Sequence, residues 1–272
     1  MDTFLTSEKI YKVFHQPINQ STDQLINFTL NLADNSLIMG HRLSEWTGHG
    51  PMLEQDIAIS NIALDLIGQS RNFYQYAAQL KGEGTTEDSL AYLREANEFK
   101  NILLVELPNG DWAKTILKLF FFSVYQYYLY QNLINSSDKQ LSAIAEKSLK
   151  EVTYHLRWSS EWVIRLGDGT EESKHRIEKS LEELWSYTAE MFSPAGYEIQ
   201  CAKNNIGVDV SSIKIDWDKK VNEILQEATL HSPNGKGLRV RSFGKEGNHT
   251  EHLQVILNDM QYLQRTYPGC EW

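Results

Sequence analysis

The stretch 52–80 constrains this chain more than any other. Its apolar residues Ile57, Ile59, Ile62, Leu64, Leu66 and Ile67 surround a helix almost completely. A helix that is apolar on most sides belongs at the centre of a bundle. Its borders are sharp. Gly48, Gly50 and Pro51 stand before it, and Gly82 and Gly84 close it. Glycine costs a helix backbone entropy and proline lacks the donor. Upstream, Leu25, Phe28, Leu32, Met39, Leu43 and Trp46 recur at helical steps.

The same period predicts further helices over 88–107, 112–135, 139–166, 171–192, 217–229 and 248–267. The stripe of the third of these is Leu141, Ala145, Leu149, Val152, Leu156 and Val163. Turns separate them at Pro108-Asn109-Gly110, at Asn135-Ser136-Ser137-Asp138 and at Gly167-Asp168-Gly169-Thr170. Thr170 suits an N-cap before Glu171 and Glu172. The segment 193–216 reads as irregular, and 233–247 as a glycine-rich basic loop. Residues 1–24, with Pro17, Asn19, Ser21 and Thr22, read as an N-terminal extension, and 25–272 as one helical domain. Strand signals are almost absent. Helices of more than about twenty residues, some 30 Å long, joined by short turns imply an all-α antiparallel bundle.

Charge narrows the partners. There are 26 Lys and Arg against 36 Asp and Glu, a net charge of −10. Such a chain repels phosphate backbones and anionic bilayers, so neither nucleic acid nor membrane is expected as a partner. Cys201 and Cys270 are too few and too scattered for a disulfide framework, which suits a reducing compartment. The N-terminus shows no basic segment followed by an apolar one. The apolar stretch 117–130 is interrupted by Lys118, Ser123 and Gln126. A soluble cytoplasmic protein is the expectation.

A long-helix bundle raises the question of a di-iron centre. That centre needs a carboxylate from each of two helices and a Glu-x-x-His pair from each of two others. Two such strings occur, Glu172 to His175 and Glu246 to His249. The first lies among charged neighbours at a helix start, and the second contains Gly247 beside a loop, so neither suits a rigid inward face. Better-placed residues miss the spacing. His155 lies in an apolar helix, but Val152 precedes it by three. Asp65 lies in the most apolar helix, but Gly68 follows it by three. Glu45 ends the first helix, and Ser123 stands where the fourth helix would need a carboxylate. Three donors are too few for two irons. Glu45, Asp65 and His155 are expected as buried polar groups bonded to one another or to water. The alternative is an independent oxidoreductase with a mononuclear site built from those three. The other charged feature is a basic patch, Lys236, Arg239, Arg241 and Lys245, suited to the phosphates of a CoA ester or to an acidic partner.

A set of longer strings resembles a known family. They are Asn31-Leu-Ala-Asp-Asn-Ser-Leu37, Arg42-Leu-Ser-Glu-Trp-Thr-Gly-His49, Asn61-Ile-Ala-Leu-Asp-Leu-Ile-Gly-Gln-Ser-Arg-Asn-Phe73 and Leu104-Val-Glu-Leu-Pro-Asn-Gly-Asp111. Tyr154-His-Leu-Arg157, Leu166-Gly-Asp-Gly-Thr170, His249-Thr-Glu-His-Leu253 and Met260-Gln-Tyr-Leu-Gln-Arg265 follow in order. Together they resemble the PaaC-type subunits of phenylacetyl-CoA 1,2-epoxidase complexes, over roughly 25–272. The resemblance implies a ferritin-like bundle with additional C-terminal helices. It implies a non-catalytic subunit of a multicomponent monooxygenase in aerobic phenylacetate catabolism, bound to a homologous catalytic subunit (PaaA type) and to other subunits. The di-iron centre then belongs to that partner, and NADPH, flavin and iron–sulfur groups to a reductase component. No cofactor is expected on this chain. Laid on the catalytic sister's ligand pattern, Glu45, Asp65 and His155 match or nearly match, while Gly68, Ser123 and Val152 mark lost ligands.

Overall fold

The computed structural model describes residues 20–233 and 243–270. Four long helices form the frame: α1 Gln20–Ser44, α2 Leu53–Lys81, then, after shorter elements, α5 Trp112–Leu133 and α6 Lys139–Gly167. Between them lie α3 Glu87–Tyr92 and α4 Leu103–Glu106. After them come α7 Glu171–Trp185, α8 Gly196–Lys203, α9 Val210–Glu227, α10 Glu251–Met260 and α11 Tyr262–Thr266. No strand occurs among the described residues. The α1–α2 and α5–α6 hairpins are the most extensive pairings, and α2 also packs on α6. At Gly40 the first hairpin closes tightly: a Cβ there would stand 3.0 Å from Ile67 Cγ1 and 3.2 Å from the carbonyl oxygen of Ala63. None of the described helices is long and apolar enough to cross a membrane.

The frame follows from the sequence pattern. The α6 stripe buries Leu141, Ala145, Val152, Leu156 and Val163, as the spacing requires. Each such large apolar side chain contributes about 1.5–3 kcal/mol on burial. Asp138 caps α6 by accepting from the backbone of Gln140 and Leu141, and Thr170 caps α7 with a reciprocal bond to Ser173. The ends of α5 and α6 share a tryptophan group. Trp112 meets Trp46, Trp158 and Trp162 edge-on at 5.1–6.1 Å.

Several expectations differ in detail. Residues 88–107 do not form one helix. They break into α3, a 3₁₀ turn at Ala96–Glu98 and α4. The cause is tertiary: distant side chains take the backbone donors a helix would use. Asp34 accepts from the amide of Lys100, Asn35 from Ile102 and Glu190 from Leu103. Residues 193–216 are not irregular, since α8 lies within them and α9 begins at Val210, capped by Asp209. The expected helix 171–192 tightens to 3₁₀ at Ser186–Phe192, and the one at 248–267 divides into α10 and α11. The first described helix starts at Gln20, a few residues before the expected boundary at 24/25.

Candidate functional site

Helical phase decides which side chains enter the bundle. Leu66, Val152, Ser123 and His155 are fully buried. Asp65 is not: its side chain is 38% exposed. Gly68 is exposed, and a Cβ there would meet nothing within 4 Å. The inward pair at a three-residue spacing on α2 is therefore Leu66 and Gln69, one position after the expected Asp65 and Gly68. The near-continuous apolar run had hidden this phase. Glu45 stands apart, its side chain 48% exposed, held by Arg42 at 2.7 Å and by Asn109 at 2.9 Å. Among the three expected donors one contact forms, His155 Nε2 to Asp65 Oδ2 at 3.0 Å.

The residues that meet across all four long helices are others. Gln126 on α5 donates to Ser36 on α1 at 3.3 Å, and lies 3.3 Å from the Tyr130 hydroxyl. Tyr130 donates to Gln69 on α2 at 3.4 Å, and Gln69 donates to Glu151 on α6 at 2.9 Å. Burial pushes the Tyr130 phenol well above its ordinary pKa. Beside this seam, the hydroxyls of Ser70, Ser123 and Ser148, Gln126 Oε1 and His155 Nδ1 are buried without a hydrogen-bond partner among the described residues. Hydroxyls and amides are weak ligands for iron, and alkyl groups are none. Among the described residues no three His, Cys, Asp or Glu side chains stand together as a set able to hold a metal ion. Ser36, Gln69, Gln126 and Tyr130 were missed in the sequence. Their buried polar character at helical spacing was the available signal.

A second polar layer lies under the C-terminal third, and it is ionic. Glu106 is fully buried and accepts from Asn101 at 2.9 Å and from the Thr250 amide at 2.6 Å, with His249 Nδ1 at 2.8 Å. Burial lowers the His249 pKa, but the hydrogen bond and charge of Glu106 outweigh it and leave the imidazole above its ordinary value. Asp34 is buried against Arg94, which also lies over the Phe99 ring at 4.1 Å. Glu190 accepts from the amides of Leu103 at 2.7 Å and Gly244 at 2.6 Å, while burial pushes its carboxyl up to about 7. Lys118, fully buried, donates to the carbonyl of Leu107 at 2.6 Å and to Asn109 at 3.0 Å. Burial, aided by the Arg42 charge, pushes its ammonium pKa well down. These bonds give the compact string Glu106, Leu107 and Asn109 its role: the Glu106 carboxylate holds His249 and Thr250 ahead of α10, while Leu107 and Asn109 together hold Lys118 of α5.

The basic patch requires correction at Lys245. That side chain is 1% exposed and is not part of a solvated loop. Its ammonium bonds Glu198 at 3.0 Å and the carbonyls of Met191 and Ser193. The reason is that Glu198 belongs to α8, in the segment expected to be irregular. Lys236, Arg239 and Arg241 lie outside the described residues. Of the two Glu-x-x-His strings, Glu172 pairs with Arg176 on the surface and His249 with Glu106, not with Glu246. Cys201 is buried and free, Cys270 exposed and free.

Comparison with known proteins agrees with the strings quoted above. A family model described as phenylacetic acid catabolic protein matches residues 12–272. A curated relative from Escherichia coli (strain K12), the C component of 1,2-phenylacetyl-CoA epoxidase, is 45% identical over 250 residues, covering 92% of this chain and 100% of the relative.

Proposed function

Since the chain belongs to the phenylacetic acid catabolic protein family, we propose that it is the non-catalytic subunit of a phenylacetyl-CoA 1,2-epoxidase complex. It holds the homologous catalytic subunit in place and carries no metal itself. The observation that supports this reading best is the chemistry of the bundle interior. Where the four long helices face one another, Leu66, Gln69, Ser123, Val152 and His155 point inward, and one of the five is a strong metal donor. That donor already shares a hydrogen bond with Asp65. The set does not fit a di-iron centre, so no step of the oxygenation runs through this chain. Ring epoxidation and its di-iron centre belong, in this reading, to the partner, and the supply of electrons to a reductase.

What this chain contributes is rigidity. Ligands of an oxygen-activating centre have to be held within about 0.5 Å of their working geometry. A homologous bundle with a fixed, well-packed interior is a suitable brace. The CoA-contact alternative loses Lys245, which is buried and paired. We place the complex in the cytoplasm, where two unpaired cysteines are ordinary.

Iron content tests the reading. The isolated chain, made in iron-replete cells, should carry well below about 0.1 iron per chain, and its complex with the catalytic partner about two per heterodimer. About one tightly held metal on the isolated chain, lost on His155→Ala, would reinstate the mononuclear alternative.

A further inference from the structure

Polar atoms without partners are not spread evenly through this molecule. Among the described residues, ten buried side-chain nitrogen and oxygen atoms have no hydrogen bond. Five of them lie on the buried faces of α2, α5 and α6: the hydroxyls of Ser70, Ser123 and Ser148, Gln126 Oε1 and His155 Nδ1. All five side chains are at least nine-tenths buried. A buried polar atom left unpaired loses more than a satisfied one gains, and five such losses would rival the net stability of a domain.

The three serines have an ordinary remedy that they do not take. A helical serine or threonine commonly donates to the carbonyl three or four residues before it. Thr29, Ser159, Ser160 and Ser180 do so at 2.7–2.8 Å. Ser70, Ser123 and Ser148 make no such bond. His155 is held by its other nitrogen. With Nε2 donating to the Asp65 carboxylate at 3.0 Å, Nδ1 of the neutral ring is an acceptor on the opposite side from Asp65.

Helix register places these atoms together. Gln69 bonds Glu151 and His155 bonds Asp65, so α2 and α6 run antiparallel at a fixed level. Ser70 follows Gln69, and Ser148 precedes Glu151 by about one turn. Gln126 lies about one turn from Tyr130, whose hydroxyl reaches Gln69. Ser123 and His155 stand about one turn further, some 5.4 Å, toward the same end of the bundle. The contacts around this level are loose. Gln126 to Ser36, Gln126 to Tyr130 and Tyr130 to Gln69 measure 3.3–3.4 Å, against about 2.9 Å for a well-made bond.

We propose that these five atoms line an internal hydration site, in which about two ordered waters join α2, α5 and α6. A buried water makes about three hydrogen bonds, so two serve five atoms. Water suits the set because it both donates and accepts: Gln126 Oε1 and His155 Nδ1 accept only, and the hydroxyls do both. A bare cation does not suit it. The hydroxyls and the amide are neutral, and among the described residues no three His, Cys, Asp or Glu side chains stand together. An apolar guest would leave the same atoms unpaired. The inference is independent of the non-catalytic role proposed above.

A high-resolution crystal structure of the full chain tests the site, with oxygen-17 relaxation dispersion counting long-lived internal waters in solution. Expected are waters at hydrogen-bonding distance from at least three of the five atoms. Ser148→Val, which replaces the hydroxyl by a methyl, should remove at least one long-lived water. Ser159→Ala, equally buried in the parent but bonded to its own helix, should remove none. Serine hydroxyls bonded to their own carbonyls, with no water beside them and equal counts in parent and Ser148→Val, would overturn the proposal and leave the functional reading intact. A metal ion at the site, seen by anomalous scattering, would overturn both. If Ser148→Val does not fold, the crystal structure of the parent decides alone.

Discussion

The two buried polar layers of this molecule are built from opposite chemistry. Where the four long helices meet, Ser36, Gln126, Tyr130 and Gln69 bond one another as neutral groups, with Glu151 at the edge. Under the C-terminal third, Glu106 meets His249, Glu198 meets Lys245, and Asp34 meets Arg94. A neutral group loses little when it leaves water, provided it finds a partner, and it survives the loss of one weak bond. A buried charge tolerates no such loss. The interior of the frame is thus forgiving, and the attachment of the C-terminal segments is not. Ionic pairs also carry direction: each carboxylate here joins elements far apart in the chain, and each accepts only donors.

The sharpest way to break this contrast is to remove one ion. Lys245→Ala leaves Glu198 buried without its cation, and we expect a loss of about 3–5 kcal/mol in urea unfolding. The double variant Lys245→Met with Glu198→Met should recover most of it, because no charge is left stranded. A single variant within about 1 kcal/mol of the parent would show that the pair is not buried in solution.

These two layers were not equally legible. The helices over 52–80, 112–135 and 139–166 could be read because apolar periods end at strong breakers, and because Asp138 and Thr170 are good caps. The phase of α2 could not be read. Ile57, Ile59, Leu64 and Leu66 point in all directions, so nothing in the sequence separated Asp65 from Leu66 as the inward residue. The division of 88–107 was invisible for another reason. Its backbone amides are taken by Asp34, Asn35 and Glu190, which lie tens of residues away. The burial of Lys245 was illegible for the same cause, since its partner Glu198 lay in a segment without a helical period. Local pattern carries helices, whereas long-range polar pairing has no local signature.

A titration sharpens the contrast next. His249 faces Glu106 on α4 and feels the Asp34 charge on α1, and its pKa in the fold lies above the ordinary 6.5. The folded state then holds a proton that the unfolded state releases. Stability from this group is complete below about 6.5 and is lost as pH rises through the folded value. Glu190, raised to about 7 from 4.5, acts in the same direction but at lower pH, between those two values. His249→Gln should therefore flatten the decline above about pH 6.5, by up to about 1.4 kcal/mol per pH unit, and leave the decline below it. An unaltered slope above neutrality would mean that His249 is neutral in the fold.

The smallest effect is expected in the neutral seam. Gln69→Leu removes the bond to Glu151 and the bond from Tyr130. Glu151 is only half-buried and can turn to water, and Tyr130 keeps its contact with Gln126. Leucine fills a similar volume beside Tyr130, so no large cavity opens. The expected cost is about 1 kcal/mol in the same urea experiment, several times less than for Lys245→Ala. The helical circular dichroism should not change. A loss of 3 kcal/mol or more would place the seam on a level with the ionic layer. The bundle interior would then require its amides as strictly as a metal site requires its ligands, and the forgiving character argued for it would be wrong.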